Sequence, residues 1–89
     1  MTLKQQLSQA DTLWHAWFDG ASAPNPGKMG VGVVLLAPDG EFTEKSLALQ
    51  HCGCNNEAEL HALALALEMA ALAGARVIKI EGDSKATVD

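Results

Sequence analysis

Residues 18–35, FDGASAPNPGKMGVGVVL, place an acid between an aromatic segment and a run rich in glycine and proline. Residues 13–19, LWHAWFD, are typical of a strand because aromatic side chains favour the extended backbone, so Asp19 is predicted to end that strand. The prolines and glycines that follow predict a loop over residues 21–30. A surface turn explains these residues, but it does not explain an acid at the strand end.

The remaining chain reads outward from this stretch as strands, turns and one helix. The predicted elements are a strand over 31–37, a turn over 38–40, a more exposed strand over 41–50, a loop over 51–56, a helix over 57–73 and a strand over 76–83. Asn56 is a good N-cap and Gly74 a good residue for the turn that ends the helix. After its first turn the helix is apolar nearly all round, so we expect it to be covered on more than one side.

This order, β-β-β-α-β, predicts an α/β fold. Three strands form an antiparallel meander, and a crossover helix then returns the chain to a fourth strand parallel to the first. The carboxyl ends of the first and last strands therefore lie at one edge of the sheet, where ligands of such sheets usually bind. Asp19 and Asp83 are expected there, and Glu59, in the first helical turn, could turn toward the same edge.

Three carboxylates at one place predict a divalent cation, because they repel one another without one. Magnesium and manganese prefer oxygen ligands, and a pair of such ions supports phosphodiester hydrolysis. Each acid also has a simpler interpretation. Asp19 with Gly20 could form a turn, Glu59 could complete a capping box with Asn56, and Asp83 could cap a following helix.

The composition limits the class of protein. The chain has 89 residues, 48% of them apolar and 19% charged, with a formal charge of −5, which predicts one ordered domain and argues against a basic phosphate-binding patch. No apolar run is long enough for a membrane span. The amino terminus lacks the apolar core of a secretory signal, so a cytoplasmic location is expected. Residues 1–13 are interpreted as an extension with a possible short helix over 2–9, and residues 14–89 as the domain.

Two cysteines stand close together in the sequence HCGC, which comprises His51, Cys52, Gly53 and Cys54. A disulfide across one intervening residue would be strained. The histidine and the thiols could form a soft-metal site, but zinc sites usually show more ligands at recognisable spacings. We interpret the thiols as structural or incidental.

The chain contains three motifs in the order FDGASAPNPGKMGVGVVL, NNEAELHALALALEMA and IEGDS. Together they strongly resemble the ribonuclease H family, type 1, in its reverse-transcriptase-like branch, and the resemblance covers about residues 14–86. It implies a nuclease that cuts the RNA strand of RNA–DNA hybrids with two Mg²⁺ ions, for which Mn²⁺ could substitute. The fold it implies is ribonuclease H-like.

The resemblance also assigns residues. It implies that the acids Asp19, Glu59 and Asp83 are catalytic and hold metal, together with Gly20. It implies a set of residues that contact the hybrid, where the RNA 2′-hydroxyl distinguishes RNA from DNA. These are Gly20, Ser22, Asn25, Asn55, Asn56, Ala58 and Ser84.

The sequence also departs from the family, whose members continue with further helices, a fifth strand and a fourth metal-binding aspartate. The fold is therefore expected to be incomplete and the activity weak or absent. An uncovered apolar helix face predicts self-association, for instance as a homodimer. Two alternatives stay open: a module that binds hybrid or metal without cutting, and a structural or interaction remnant with the same fold.

Overall fold

The structure, a computed structural model, describes residues 12–82. The expected helix over 2–9 and the residues Asp83 and Ser84 lie outside this range. The described elements, in chain order, are β1 (Leu13–Ala23), β2 (Gly27–Leu36), β3 (Phe42–Gly53), α1 (Asn55–Leu72) and β4 (Val77–Gly82).

The four strands form one mixed sheet in the order β3-β2-β1-β4. β1 pairs antiparallel with β2, and β2 pairs antiparallel with β3. β4 returns after the helix to pair parallel with β1, as a crossover connection requires. The predicted meander, crossover helix and parallel fourth strand are confirmed.

The predicted loop over residues 21–30 is wrong. The β1–β2 ladder continues until Ala23 pairs with Lys28, so only residues 24–26 connect the two strands. Both prolines of this stretch lie within those three residues, where no ladder hydrogen bond is needed from them. The glycines that suggested a loop instead take part in strand pairing.

Asp19 consequently lies in the middle of β1 and does not end it, contrary to the prediction. It pairs with Gly32 on the β2 side. On the other side, the registered pairing with β4 reaches Phe18 and Gly82. Among the described residues, Asp19 is therefore the first residue of β1 beyond its pairing with β4.

The predicted loop over 51–56 and the predicted N-cap at Asn56 are also wrong. β3 continues to Gly53 through a register shift opposite Met29, between Lys28 and Gly30 on β2. The helix begins at Asn55, and its N-cap is Cys54, which makes no side-chain capping hydrogen bond. The first helical bond instead uses the backbone of Cys54, whose carbonyl accepts from the Ala58 N–H at 3.0 Å.

A stripe of alanines holds α1 against the sheet. The buried alanines recur every fourth residue, which places them on one helix face; they are Ala58, Ala62, Ala66 and Ala70. Three of them, Ala62, Ala66 and Ala70, pack with buried side chains of the two central strands, namely Ala16, Phe18, Val31, Val33 and Leu35. Short alanine side chains allow the helix axis to lie close to the sheet.

The outer side of α1 is apolar as well, as its composition indicated. Leu60, Leu67 and Leu72 are exposed. The helix ends at Leu72 with Ala73 as C-cap, and Gly74 follows as the predicted turn residue with a φ of 84°, which suits glycine. The Ala75 N–H donates to the Ala70 carbonyl at 2.9 Å, and the Gly74 N–H to that of Ala71 at 3.1 Å. No helix among residues 12–82 has the length and hydropathy to cross a membrane.

Candidate active site

The start of α1 rests directly on the backbone of β1 at Gly20. A Cβ atom at this position would lie 2.2 Å from the Ala58 carbonyl oxygen and 2.8 Å from the Glu59 backbone nitrogen. Only glycine therefore allows this approach. The contact brings the residue after Asp19 against the backbone of Glu59, so two of the predicted acids flank one point of contact.

Glu59 is the most unusual of these acids because it is buried. Its relative exposure is 6%, and no residue within 12–82 gives its buried Oε2 atom a hydrogen bond. Glu59 is the fifth residue of α1, in its second turn, and not in its first turn as predicted. The capping-box interpretation fails, because a helix capped by Cys54 has Glu57, not Glu59, at the third position.

A buried carboxylate oxygen without a partner costs free energy, so it calls for an explanation. A cation bound at Glu59 would supply the missing interaction. The oxygen is of the type that Mg²⁺ and Mn²⁺ prefer. The residue therefore fits the divalent metal that the sequence predicts.

Asp19 lies on the opposite face of β1 from the helix. Neighbouring residues of a strand point to opposite faces, and the buried Phe18 is part of the core beneath α1. The exposed Asp19 lines an open groove of about 390 Å³ on the sheet face that no element within residues 12–82 covers, here called the uncovered face. Gly82 lines the same groove and directly precedes Asp83 in the sequence.

Three of the residues assigned to hybrid contact are joined by hydrogen bonds. The Ser22 backbone N–H donates to Oδ1 of Asn55 at 2.8 Å, and the Ser22 hydroxyl lies 3.1 Å from the same atom. The Asn55 backbone N–H donates to Oδ1 of Asn25 at 3.0 Å. The Ser22 hydroxyl also lies 3.1 Å from that Asn25 oxygen. The β1–β2 turn is therefore tied to the first turn of α1.

The other assigned residues differ in exposure. Asn56 is exposed in the first helical turn beside Asn55, whereas Ala58 is buried against Gly20. Ala58 is 0% exposed, and its backbone N–H already donates to the Cys54 carbonyl. Ser84 lies outside the described residues.

The uncovered face carries a polar cluster around Glu81. The Trp17 indole N–H donates to its Oε2 at 3.0 Å, and the Lys79 ammonium lies 3.4 Å from its Oε1. His15 stacks on Trp17 with ring centroids 3.9 Å apart, and its Nε2 lies 3.5 Å from Oε2 of Glu81. Lys79, followed by His15 and Trp17, holds the pKa of Glu81 below its usual value.

A second cluster was not predicted from the sequence. His51, Glu57 and His61 each offer a ligand atom, and these atoms lie within 4.8 Å of one another. Glu57 and His61 are four residues apart, a spacing that places both on one side of a helix. The spacing of Glu57 and His61 can be recognised in the sequence, but the predicted loop over 51–56 leaves the position of His51 relative to them undefined.

Comparisons with known proteins bear on the family and the fold. Residues 17–89 match the sequence model of the reverse transcriptase-like family. Ribonuclease HI from Halobacterium salinarum is 45% identical over 71 residues, which are 80% of this chain and 36% of that protein. The crystal structure of RNase H1 from Halobacterium salinarum NRC-1 aligns with a TM-score of 0.76 at 44% identity, over 83% of this chain and 56% of that chain.

A further solved structure contains a nucleic acid. LC11-RNase H1, in complex with an RNA/DNA hybrid, aligns with a TM-score of 0.70 at 30% identity. The alignment covers 84% of this chain and 57% of that chain. The chain thus spans about half the length of the solved structures and about a third of the curated relative.

Proposed function

Because the chain belongs to the reverse transcriptase-like family of ribonuclease H proteins, we propose that it serves in metal-dependent hydrolysis of the RNA strand of RNA–DNA hybrids. The observation that carries this proposal is the buried Oε2 of Glu59, which has no hydrogen-bond partner in the part of the chain that the structure describes. A relative of 30% identity has been solved in complex with such a hybrid, which supports the hybrid as the substrate.

Asp19, Glu59 and Asp83 would hold the metal, with Gly20 between the first two. Asp19 follows Phe18 and Asp83 follows Gly82, and these predecessors are paired in the parallel ladder. The two aspartates thus each follow one member of a paired couple in the sequence, which supports assigning both to the metal. Mg²⁺ bound there would act as a Lewis acid on the phosphodiester and favour ionisation of an attacking water.

The hydrogen-bonded asparagines would position the hybrid. A backbone N–H needs an oxygen acceptor. The Ser22 N–H is therefore bonded to Oδ1, not Nδ2, of Asn55, and the Asn55 N–H is bonded to Oδ1 of Asn25. The Nδ2 groups of these exposed asparagines are then directed away from that network as donors. Such donors suit the 2′-hydroxyl and phosphate oxygens of an RNA strand. Asn56, exposed beside them, adds a further donor.

The test of catalysis is cleavage of an end-labelled RNA–DNA hybrid with Mg²⁺ and, separately, Mn²⁺. Asp19→Asn and Glu59→Gln should abolish cutting of the RNA strand. The matched control is Glu68→Gln, because Glu68 is an exposed acid farther along the same helix. Cutting that survives in both acid variants would overturn the proposal. We expect the 89-residue chain to cut weakly or not at all, since it spans only part of its relatives.

A second measurement separates metal binding from activity. The thermal unfolding midpoint of the chain should rise with Mg²⁺, because a ligand that binds only the folded state stabilises it. Glu59→Gln should remove this rise and Glu68→Gln should keep it. A rise that depends on Glu59 without any cleavage would favour the alternative of a non-catalytic binding module. No rise at millimolar Mg²⁺ would favour a structural remnant.

Self-association through the exposed leucines of α1 stays a prediction. Leu60 and Leu67 are 65% and 49% exposed, and a large uncovered apolar surface favours association. Sedimentation of the chain beside the Leu60→Gln, Leu67→Gln double variant would test it. A monomer in both cases would contradict it.

A further inference from the structure

We propose that His51, Glu57 and His61 form a second cation site, separate from the acids around Gly20, and that it takes Zn²⁺ or a similar transition-metal ion. The site lies where the end of β3 meets the first two turns of α1. It does not depend on the proposed nuclease function, because none of its residues belongs to the set assigned to the hybrid or to Mg²⁺.

The spacing of the ligand atoms supports the site. Nε2 of His51 lies 3.7 Å from Oε2 of Glu57, and the two imidazole centroids are 5.2 Å apart in an edge-on arrangement. Zinc bonds of about 2.0–2.1 Å in a tetrahedron put ligand atoms about 3.3 Å apart. The atoms, all within 4.8 Å of one another, therefore need only small side-chain movements to share one ion.

The backbone around the cluster gives a second, independent observation. A Cβ atom at Gly53 would lie 2.6 Å from Oε1 of Glu57. The absence of a side chain at residue 53 therefore makes room for the carboxylate next to His51. Gly53 leaves space for the Glu57 carboxylate, and the four-residue spacing puts Glu57 and His61 on one side of α1.

The donor set decides which metal is expected. Two imidazoles and one carboxylate are the protein ligands of several zinc sites that keep a fourth position for water or another ligand. Imidazole suits zinc, copper and nickel, whereas Mg²⁺ is bound by oxygen. The two candidate sites should therefore bind different ions. Cys52 and Cys54 are free and exposed, and the cluster does not include them.

The ordinary alternative is a surface contact without a metal. A protonated His51 would pair with Glu57, and such exposed pairs contribute little to stability. The side chains of His51 and Glu57 are 58% and 45% exposed, so the residues are accessible to an ion. A binding measurement therefore distinguishes the two.

The experiment is a competition titration of the full 89-residue chain with Zn²⁺ and a chromophoric chelator. We expect one saturable ion per chain. His51→Gln and His61→Gln should each weaken binding by more than the roughly 10- to 100-fold that loss of an outer partner costs. Glu68→Gln, at an exposed acid of the same helix outside both candidate sites, is the control and should leave the zinc affinity unchanged. Circular dichroism verifies that each variant is folded.

The thiols provide the decisive comparison. The Cys52→Ser, Cys54→Ser double variant should keep zinc affinity, and the Co²⁺-loaded chain should show tetrahedral ligand-field bands without a thiolate charge-transfer band. Loss of binding in the double variant, or retention of binding in His61→Gln, would overturn the assignment. The absence of a saturable ion in the unaltered chain would do the same and would leave the surface contact as the explanation.

Discussion

The two faces of β1 differ in chemistry although they share one backbone. On the covered face, Phe18 packs beneath the alanine stripe of α1, and Gly20 admits the helix backbone. On the open face, Trp17 binds Glu81, and Asp19 lines a groove. The candidate active site takes Glu59 from the covered side and Asp19 from the open side. The site therefore takes residues from both faces of β1, and Gly20 is the β1 residue that contacts the backbone of Glu59.

The backbone contact at Gly20 is where a single substitution is expected to reduce stability most. Gly20→Ala should lower the free energy of unfolding by about 3 kcal/mol, the upper part of the range for overpacking, because the new Cβ would collide with backbone at 2.2 Å. Urea denaturation measures the loss. The matched control is Gly30→Ala, whose Cβ would meet its nearest neighbour at 3.8 Å, and which should change stability by less than about 1 kcal/mol. Equal losses in the two variants would show that helix seating is not the cause.

Substitutions in the alanine stripe test how closely α1 packs on the covered face farther along the helix. Ala66→Leu should cost about 1–3 kcal/mol, because the larger side chain has no room between helix and sheet. Ala64→Leu, at an exposed position of the same helix, should stay within about 0.5 kcal/mol. Thermal and urea unfolding of the pair give the comparison. A stability unaffected by Ala66→Leu would mean that the helix lies farther from the sheet than described.

The hydrogen-bond network at the start of the helix should have a smaller effect. Asn55→Ala removes the acceptor of the Ser22 N–H, and the loss should be about 1–2 kcal/mol. Asn56→Ala, next to it and exposed, should stay within about 0.5 kcal/mol. Urea denaturation compares the two. If Asn56→Ala proved the more costly, the network would not be what fixes the turn to the helix.

The open face should show the smallest effect, and one that depends on pH. Lys79 lowers the pKa of Glu81 from its usual value of 4.5, so the ionised carboxylate stabilises the fold above that value. This stabilisation is lost as the pH falls through the lowered pKa. Lys79→Gln should therefore lower the unfolding midpoint slightly at neutral pH and not in strong acid. Lys28→Gln is the exposed control, and an equal shift at all pH values would exclude this pair as the cause.

The element order and the parallel strand pairing could be predicted from local patterns. The helix between two strands implied a crossover, and Gly74 marked the helix end. The strand bounds could not be predicted, because glycine and proline indicate a turn without showing how far pairing continues around it. The pairing of Ala23 with Lys28 depends on contacts between strands. The sequence pattern for this reason predicts a strand end at Asp19, although this residue lies within β1.

The motif resemblance assigns the residues of the candidate site, and that assignment stays a prediction, whereas their arrangement could not be predicted from the sequence. The motif resemblance selected Asp19, Glu59 and the asparagines, and the structure describes two of the three acids around Gly20. Side-chain preference predicts the N-cap of α1 at Asn56. In the structure β3 ends at Gly53, and the next residue, Cys54, is the N-cap. That shift of two residues moved Glu59 from the first turn to the second and into a buried position. The assignment of Asp83 stays a prediction.

The exposure of β3 has a consequence for the order in which the sheet opens. β3 is an outer strand with hardly a buried side chain, whereas β1 is paired on both edges beneath the helix. Little apolar surface is lost when β3 detaches, so its amides should exchange with solvent deuterium through local opening, well before those of Ala16 and Phe18. A zinc ion bound by His51 on β3 and by Glu57 and His61 on α1 would link this strand to the helix. Native-state exchange with and without Zn²⁺ would then slow selectively at the carboxyl end of β3.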